Sequence, residues 1–251
     1  MRRWLRVGAV VAVAFLIVLI VRFPASWAAA LLPGSLACHG AAGTVWRGAC
    51  TSFALNDASR PNPTSLGALS WRLKPLRLFT GTLAAGVTLQ PPAGRVSADV
   101  EVSAGGSITA RNLTASLRLD PQLLPLVPAA LQGVVQADLQ RLEVDDGAIT
   151  DVAGRIELRD VQQSGNRLGS YLIVFPEVAA PGDPTGELRD TGGPFAFQGT
   201  VKFVREPEPG YVIEGLIAAR ADAPPELAQR LQFLGTPDAQ GRRPFSFSGS
   251  F

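Results

Sequence analysis

Two kinds of hydrophobic pattern run along this chain. From Val7 to Val21 come fifteen consecutive residues without a charge or a proline, and from about residue 69 onward apolar and polar side chains alternate in short runs. The first pattern predicts a membrane helix. A helix of that length rises roughly 22 Å against a hydrocarbon core of about 30 Å. Trp4 and Leu5 extend it on one side, while the stems of the bracketing Arg6 and Arg22 reach to the headgroups. Phe23 and Trp27 then fall at the second interface, which sets the anchor at residues 7–27. Arg2, Arg3 and Arg6 keep residues 1–6 in the cytoplasm by the positive-inside rule, and residues 28–251 form a domain on the far side. A cleaved signal peptide is the rival reading, since a basic start, a short apolar core and Ala28-Ala29-Ala30 supply its parts. Against it, Arg22 directly follows the core and the alanines lie beyond the usual cleavage distance. A lipoprotein signal fits less well, because Ser35-Leu36-Ala37 before Cys38 lacks the expected aliphatic residue.

The second pattern has a period of two, which places one face of a strand on a core and the other in water. It is seen at 69–73, 81–89, 95–102, 107–119, 134–144 and 154–158, then at 195–203, 211–219 and 244–251. Turn residues separate the runs, so a mostly antiparallel meander is expected. Gly199, Gly215 and Gly249 sit inside strands and read as bulges or points of close sheet packing. Two helices interrupt the pattern. One, at 225–234, starts with Pro225, puts Leu227, Leu231 and Leu234 on one face and stops at Gly235. The other, at 121–131, is broken by Pro125 and Pro128 and is expected to make at most one or two turns. Residues 181–186 and 206–210 read as exposed loops. The fold class is therefore mainly β: a curved antiparallel meander sheet with one or two short helices, preceded by a single N-terminal transmembrane helix. About 220 residues beyond the first segment suffice for one sizeable β domain or two small ones, and one is expected.

Composition agrees. Hydrophobic residues make up 47% and charged residues 18%, and the 26 glycines and 20 prolines are dispersed, which suits many short strands and excludes disorder. The formal charge of +2 is weighted by Arg2, Arg3, Arg6 and Arg22; without these four, 19 basic residues face 21 acidic ones, about −2. Such a balance offers no basic stripe to nucleic acid.

Cys38 and Cys50 are the only cysteines, an even count in a segment expected outside the cytoplasm, where disulfides persist. The glycine-punctuated stretch between them can fold back as a hairpin, and the pair is expected to form a disulfide pinning the first strand above the membrane. A metal site from Cys38, His39 and Cys50 is the alternative, with three ligands in poor geometry and no fourth.

Catalytic chemistry finds little support. His39 is the only histidine, which removes Ser-His-Asp and Cys-His mechanisms. Lys74 and Lys202 lack a nucleophile motif, and Asp145-Asp146 before Gly147 reads as a strand-ending turn rather than a carboxylate pair. Asn112-Leu113-Thr114 matches a glycosylation sequon inside a strand-like run. No phosphate-cradling loop or dinucleotide fingerprint occurs. The chain reads as a non-enzyme without cofactor or metal.

Three strings carry a resemblance. Gly43-Thr44-Val45-Trp46-Arg47-Gly48 follows the apolar segment, and Trp71-Arg72-Leu73-Lys74-Pro75 comes some two dozen residues later. Leu234-Gly235-Thr236-Pro237-Asp238 with Gly241-Arg242 precedes the closing Phe-Ser-Phe-Ser-Gly-Ser-Phe strand. In order and spacing they resemble the type II secretion system protein N family over nearly the whole chain, although the Gly-x-Val-Trp-x-Gly string by itself describes a strand between two turns. Members of that family are bitopic inner-membrane components of the machine that exports folded proteins from the periplasm through an outer-membrane secretin. The resemblance implies a bacterial inner-membrane protein with a periplasmic main domain. It implies contacts with inner-membrane proteins C, L and M or with the secretin, and no catalytic residue, nucleic acid or small-molecule substrate.

Such a role needs exposed apolar residues or strand edges. The candidates are the terminal strand with Phe245, Phe247 and Phe251, and Trp46 with Trp71 if their rings are exposed; large aromatics on alternating strands are more often core. Two alternatives differ in class. A lipid-handling periplasmic domain resembling the AsmA family would present a continuous apolar groove. An outer-membrane barrel, suggested by the final Phe251, conflicts with an uncleaved anchor and with proline-interrupted strands.

Overall fold

The computed structural model describes residues 15, 18–19, 21–30, 34–56, 63–119, 131–178 and 182–250. The chain divides into two compact units, Met1–Pro92 and Ala93–Phe251. Every strand pairing within them is antiparallel, as the alternating pattern requires.

In the first unit, Phe15, Val18, Leu19 and Val21 are helical and exposed. The helix closes at Arg22, whose N–H donates to Val18 O at 2.9 Å. Most of the expected anchor, and Arg2, Arg3, Trp4 and Arg6 with it, lies outside the described residues. Among the described residues no helix is long and apolar enough to cross a membrane. The helix does not run on to Trp27. Pro24 cannot donate to it and bridges to Thr44 instead, and Trp27 lies on a separate short helix, Ala25–Ala30.

Five strands follow: β1 (Leu36–His39), β2 (Ala42–Gly43), β3 (Arg47–Leu55), β4 (Thr64–Leu73) and β5 (Thr82–Gln90). Their order is β1-β3-β4-β5, with β2 paired to β3. A 3-10 helix, Pro75–Thr80, joins β4 to β5.

The second unit holds β6 (Gly94–Ser103), β7 (Ile108–Arg118), β8 (Leu131–Asp145), β9 (Ala148–Gln163), β10 (Asn166–Phe175), β11 (Thr185–Gly192), β12 (Phe195–Val204), β13 (Gly210–Ala219) and β14 (Arg243–Ser250). Each pairs with its sequence neighbour, so the unit is a meander of sequential strands. Asp146 and Gly147, at φ 51° and 79°, form the β8–β9 turn in the left-handed region that an Asp-Gly hairpin demands. This is the strand-ending turn expected of Asp145-Asp146-Gly147. The helix expected at 225–234 forms as Pro225–Arg230 continued by a 3-10 turn, Leu231–Phe233. The short helix expected at 121–131 lies almost entirely outside the described residues.

The sheet of the second unit curves strongly, since β9 contacts β12 three strands away. One buried cluster joins Leu139, Val152 and Phe175, and another joins Leu188, Phe197 and Val201; Ile173 and Phe203 pack against both. Phe175 on β10 stacks on Phe203 of β12 at 5.7 Å between ring centroids. The mid-strand glycines are points of close packing: Gly199 and Gly215 face each other across β12 and β13. A Cβ on Gly215 would come to 2.7 Å from the Gly199 Cα, so neither position admits a side chain without parting the strands.

Candidate functional site

Cys38 and Cys50 form a disulfide with their Cα atoms 5.6 Å apart, joining β1 to β3. With both sulfurs bonded to each other, the alternative metal site has lost its thiolates. Cys50 is buried and Cys38 half-buried. As expected, the stretch between them folds back as a hairpin, β2 returning along β3 with Ala42 opposite Ala49.

The Gly43-Thr44-Val45-Trp46-Arg47-Gly48 string is the tip of that hairpin and not a strand between two turns. Thr44 and Arg47 exchange backbone hydrogen bonds of 2.9 and 3.2 Å, leaving Val45 and Trp46 at the bend. Trp71 closes the tip from β4, its Nε1 donating to Val45 O at 2.9 Å. Its ring lies against Gly48, where an added Cβ would stand 2.5 Å from Trp71 Cζ2 and 2.9 Å from Thr44 O. The two motif strings therefore meet in one structural unit. Both tryptophans are half-buried, and the indole N–H of Trp71 is committed internally. Gly48→Ala is expected to push the Trp71 ring off the hairpin and cost about 1–3 kcal/mol, as overpacking does; a red-shifted tryptophan emission and a lower urea midpoint would record it.

The third string builds the approach to β14. Asp238 Oδ1 accepts from the N–H groups of Gln240 and Arg242 at 2.9 and 2.8 Å, and Oδ2 from Arg242 Nε at 2.8 Å. Arg243 Nη1 donates to Gly235 O at 2.6 Å, tying the loop to the start of the strand. At Asp238, desolvation pushes the carboxyl pKa upward, but the hydrogen bonds from Arg242 and Gln240, with the Arg242 charge, outweigh it and the pKa is lowered. A folded-state pKa below the unfolded one adds stability that is present above the unfolded value and is lost as pH falls through the folded one. Acidification into the carboxylate range is therefore expected to loosen this loop, read as faster amide exchange at Gln240 and Arg242, and Asp238→Asn is expected to remove that pH dependence.

On β14 the predicted aromatics separate. Phe245 is half-buried and meets Phe197 of β12 edge to face at 5.6 Å, across the side-chain-free Gly215 of the intervening β13. Phe247, two residues on, is 51% exposed and only partly covered by Tyr211, 6.0 Å away. Phe251 lies outside the described residues. β14 pairs with β13 and ends the strand order, so its outer edge is open among the described residues.

A polar cluster at the β11–β12 turn was not anticipated from sequence. Arg220 donates to Gly193 O, Phe195 O and Asp190 at 2.7, 2.9 and 2.6 Å, and Asp190 also accepts the Phe197 N–H at 3.0 Å. Tyr171, opposite Asp190, has its pKa pushed up to about 12 by burial and by the Asp190 charge, with Arg220 opposing. Its hydroxyl donates to Leu168 O at 2.9 Å. The cluster clamps the turn: Arg220 is used up on carbonyls and a carboxylate, and the phenol stays protonated at neutral pH. The signal in sequence would have been an Arg and an Asp thirty residues apart, which no local motif marks.

The fold defines a class: a β-meander protein with an open strand edge among the described residues. Within that class the chain belongs to a particular family, since residues 35–246 match the family model of the type II secretion system (T2SS), protein N. The matched region spans all three strings, and the family implies an accessory role in type II secretion with contacts to other components of that system. It gives no support to the AsmA-like alternative. No curated protein and no solved structure matches the chain.

Proposed function

We propose that the protein is an accessory inner-membrane subunit of the type II secretion machinery that works by protein contact in the periplasm. Residues 7–27 anchor it with the N-terminus in the cytoplasm, and residues 28–251 stand on the periplasmic side. The Cys38–Cys50 disulfide supports an oxidising compartment, and the apolar run between Arg6 and Arg22 supports the anchor. The observation that carries the contact is the open edge of β14 with Phe247 exposed beside it. Backbone hydrogen bonding to such an edge supplies affinity, and a neighbouring aromatic supplies specificity. The partners it fits are inner-membrane proteins C, L and M or the secretin.

Purification of the full chain from detergent-solubilised cells tests this. At least one secretion subunit is expected to co-purify. Phe247→Arg, which leaves the core-facing Phe245 intact, is expected to reduce its recovery roughly tenfold, the loss of an interface anchor. Co-purification of none, or recovery unchanged by the substitution in a normally folded chain, would remove the β14 contact.

A further inference from the structure

The 3-10 helix Pro75–Thr80, Pro-Leu-Arg-Leu-Phe-Thr, buries none of its residues. Phe79 is 89% and Leu76 79% exposed, and Leu78 and Leu83 stand beside them about half exposed. Water is a poor place for such a cluster, and the way its backbone is arranged points to a different solvent.

Several polar groups of the tip are satisfied from within. Lys74 N–H donates to Ala84 O at 2.8 Å, Arg77 N–H to Lys74 O at 3.0 Å and Gly81 N–H to Leu78 O at 3.1 Å. Pro75 has no N–H to place. The Arg77 carbonyl accepts from the hydroxyls of Thr80 and Thr82 at 2.7 and 3.2 Å. A segment that enters the acyl boundary of a bilayer must bring its backbone hydrogen bonds with it, and this one brings these.

Its position and charge fit the same solvent. Phe23, the first residue after the apolar helix, accepts a hydrogen bond from Val45 N–H at 2.9 Å; Trp46, next to Val45, accepts one from Leu73 N–H at 2.8 Å; and Leu73 leads directly into the tip. The end of the apolar helix, the hairpin tip and the 3-10 helix thus lie at one end of this unit's sheet, where Trp27 also stands 65% exposed against Phe23. Residues 28–92 carry five arginines and lysines and a single acidic residue, Asp57, a formal +4, whereas residues 93–251 carry fourteen against twenty, −6. The nearly neutral sum over the main region conceals this polarity. Arg72, Lys74 and Arg77 flank or sit within the apolar tip.

We infer that the Pro75–Thr80 tip is a second membrane contact, inserting Leu76, Leu78 and Phe79 into the outer leaflet of the membrane that holds the anchor, with Arg72, Lys74 and Arg77 on anionic headgroups. The inference rests on the anchoring reading above and extends it: a helix alone leaves the first unit free to swivel, while a helix plus an interfacial tip fixes that unit's orientation.

The test places a benzoylphenylalanine photo-crosslinker at position 79 of the full chain in vesicles of phosphatidylethanolamine with phosphatidylglycerol. The same probe at Val178, 82% exposed in the second unit, is the control. Lipid adducts are expected at 79 and not at 178. Each basic residue near an anionic surface contributes roughly fivefold to partitioning, so the yield is expected to fall at least about fivefold in vesicles of phosphatidylcholine alone. Yield at 79 no higher than at 178, or adducts there only with a second copy of the chain, overturns the contact; equal yield in both vesicles overturns its preference for anionic lipid. Alkaline carbonate extraction of the same sample scores the anchor separately. Release of the protein would defeat the anchoring reading, and lipid adducts at 79 in floated vesicles would still support the tip.

Discussion

Replacing Phe175 with alanine is expected to cost about 3–5 kcal/mol, the loss seen when a buried aromatic is truncated to a methyl group. Phe175 is 2% exposed, the most deeply buried large side chain of the second unit among the described residues. It stacks on Phe203 and packs with Leu139 and Val152, and its ring lies over Gly186, where a Cβ would stand 2.6 Å from Cε1. The ring packs against both Val152 of β9 and Phe203 of β12, so its loss opens a void where these two strands approach. With a total stability of about 5–15 kcal/mol for a typical domain, such a loss removes about a fifth of it or more. Both tyrosines, Tyr171 and Tyr211, lie in this unit, so near-ultraviolet circular dichroism in their band reports its packing. The urea midpoint is expected to drop by roughly 1.5–3 M at an ordinary denaturant dependence. A drop worth under about 1 kcal/mol would mean that the curved core is not what holds the unit together.

Removing the disulfide by Cys38→Ser with Cys50→Ala is expected to cost about 3 kcal/mol, the loop-closure value for cysteines twelve residues apart. The first unit depends on it more than its size suggests. Among the described residues it has few deeply buried side chains, and β1 is only four residues long. All four tryptophans, Trp4, Trp27, Trp46 and Trp71, lie in this unit, so tryptophan fluorescence follows its unfolding while the tyrosine signal follows the other. The double substitution, or dithiothreitol on the wild type, is expected to move the tryptophan transition to lower urea. Coincident transitions with and without reductant would show that the bridge contributes nothing.

Where strands alternate cleanly, the fold was legible in the sequence. The runs at 195–203 and 211–219 coincide with β12 and β13 within a residue or so. The Asp146-Gly147 turn and the helix opening at Pro225 announced themselves by their local chemistry. β10 did not. Its Tyr171-Leu172-Ile173-Val174-Phe175 run is apolar on both faces, so it shows no period of two, and a register shift at Ser170–Tyr171 breaks what alternation remains. The start of β11 was hidden because Pro181-Gly182-Asp183-Pro184-Thr185-Gly186 reads as loop throughout, while the strand already begins at Thr185.

The candidate site was legible in part. Cysteine number and compartment sufficed for the disulfide, and of the closing strand, expected as a partner contact, Phe247 is exposed. Composition cannot tell that residue from Phe245, which belongs to the core only because Gly215 lets it reach Phe197. The Val45-Trp46 bend was missed because its turn is made by reciprocal Thr44–Arg47 bonds and contains no glycine or proline of its own. The apolar tip at Pro75–Thr80 has neither helical nor strand period, and its basic setting vanished when charge was summed over the whole main region.

The account turns on a protein contact made at the open edge of β14. Its most direct measurement is photo-crosslinking in living cells from the exposed position 247, with the half-buried position 245 as the control. Adducts with a type II secretion subunit at 247 and few at 245 are the predicted result; lipid adducts alone, or none, at 247 would contradict it.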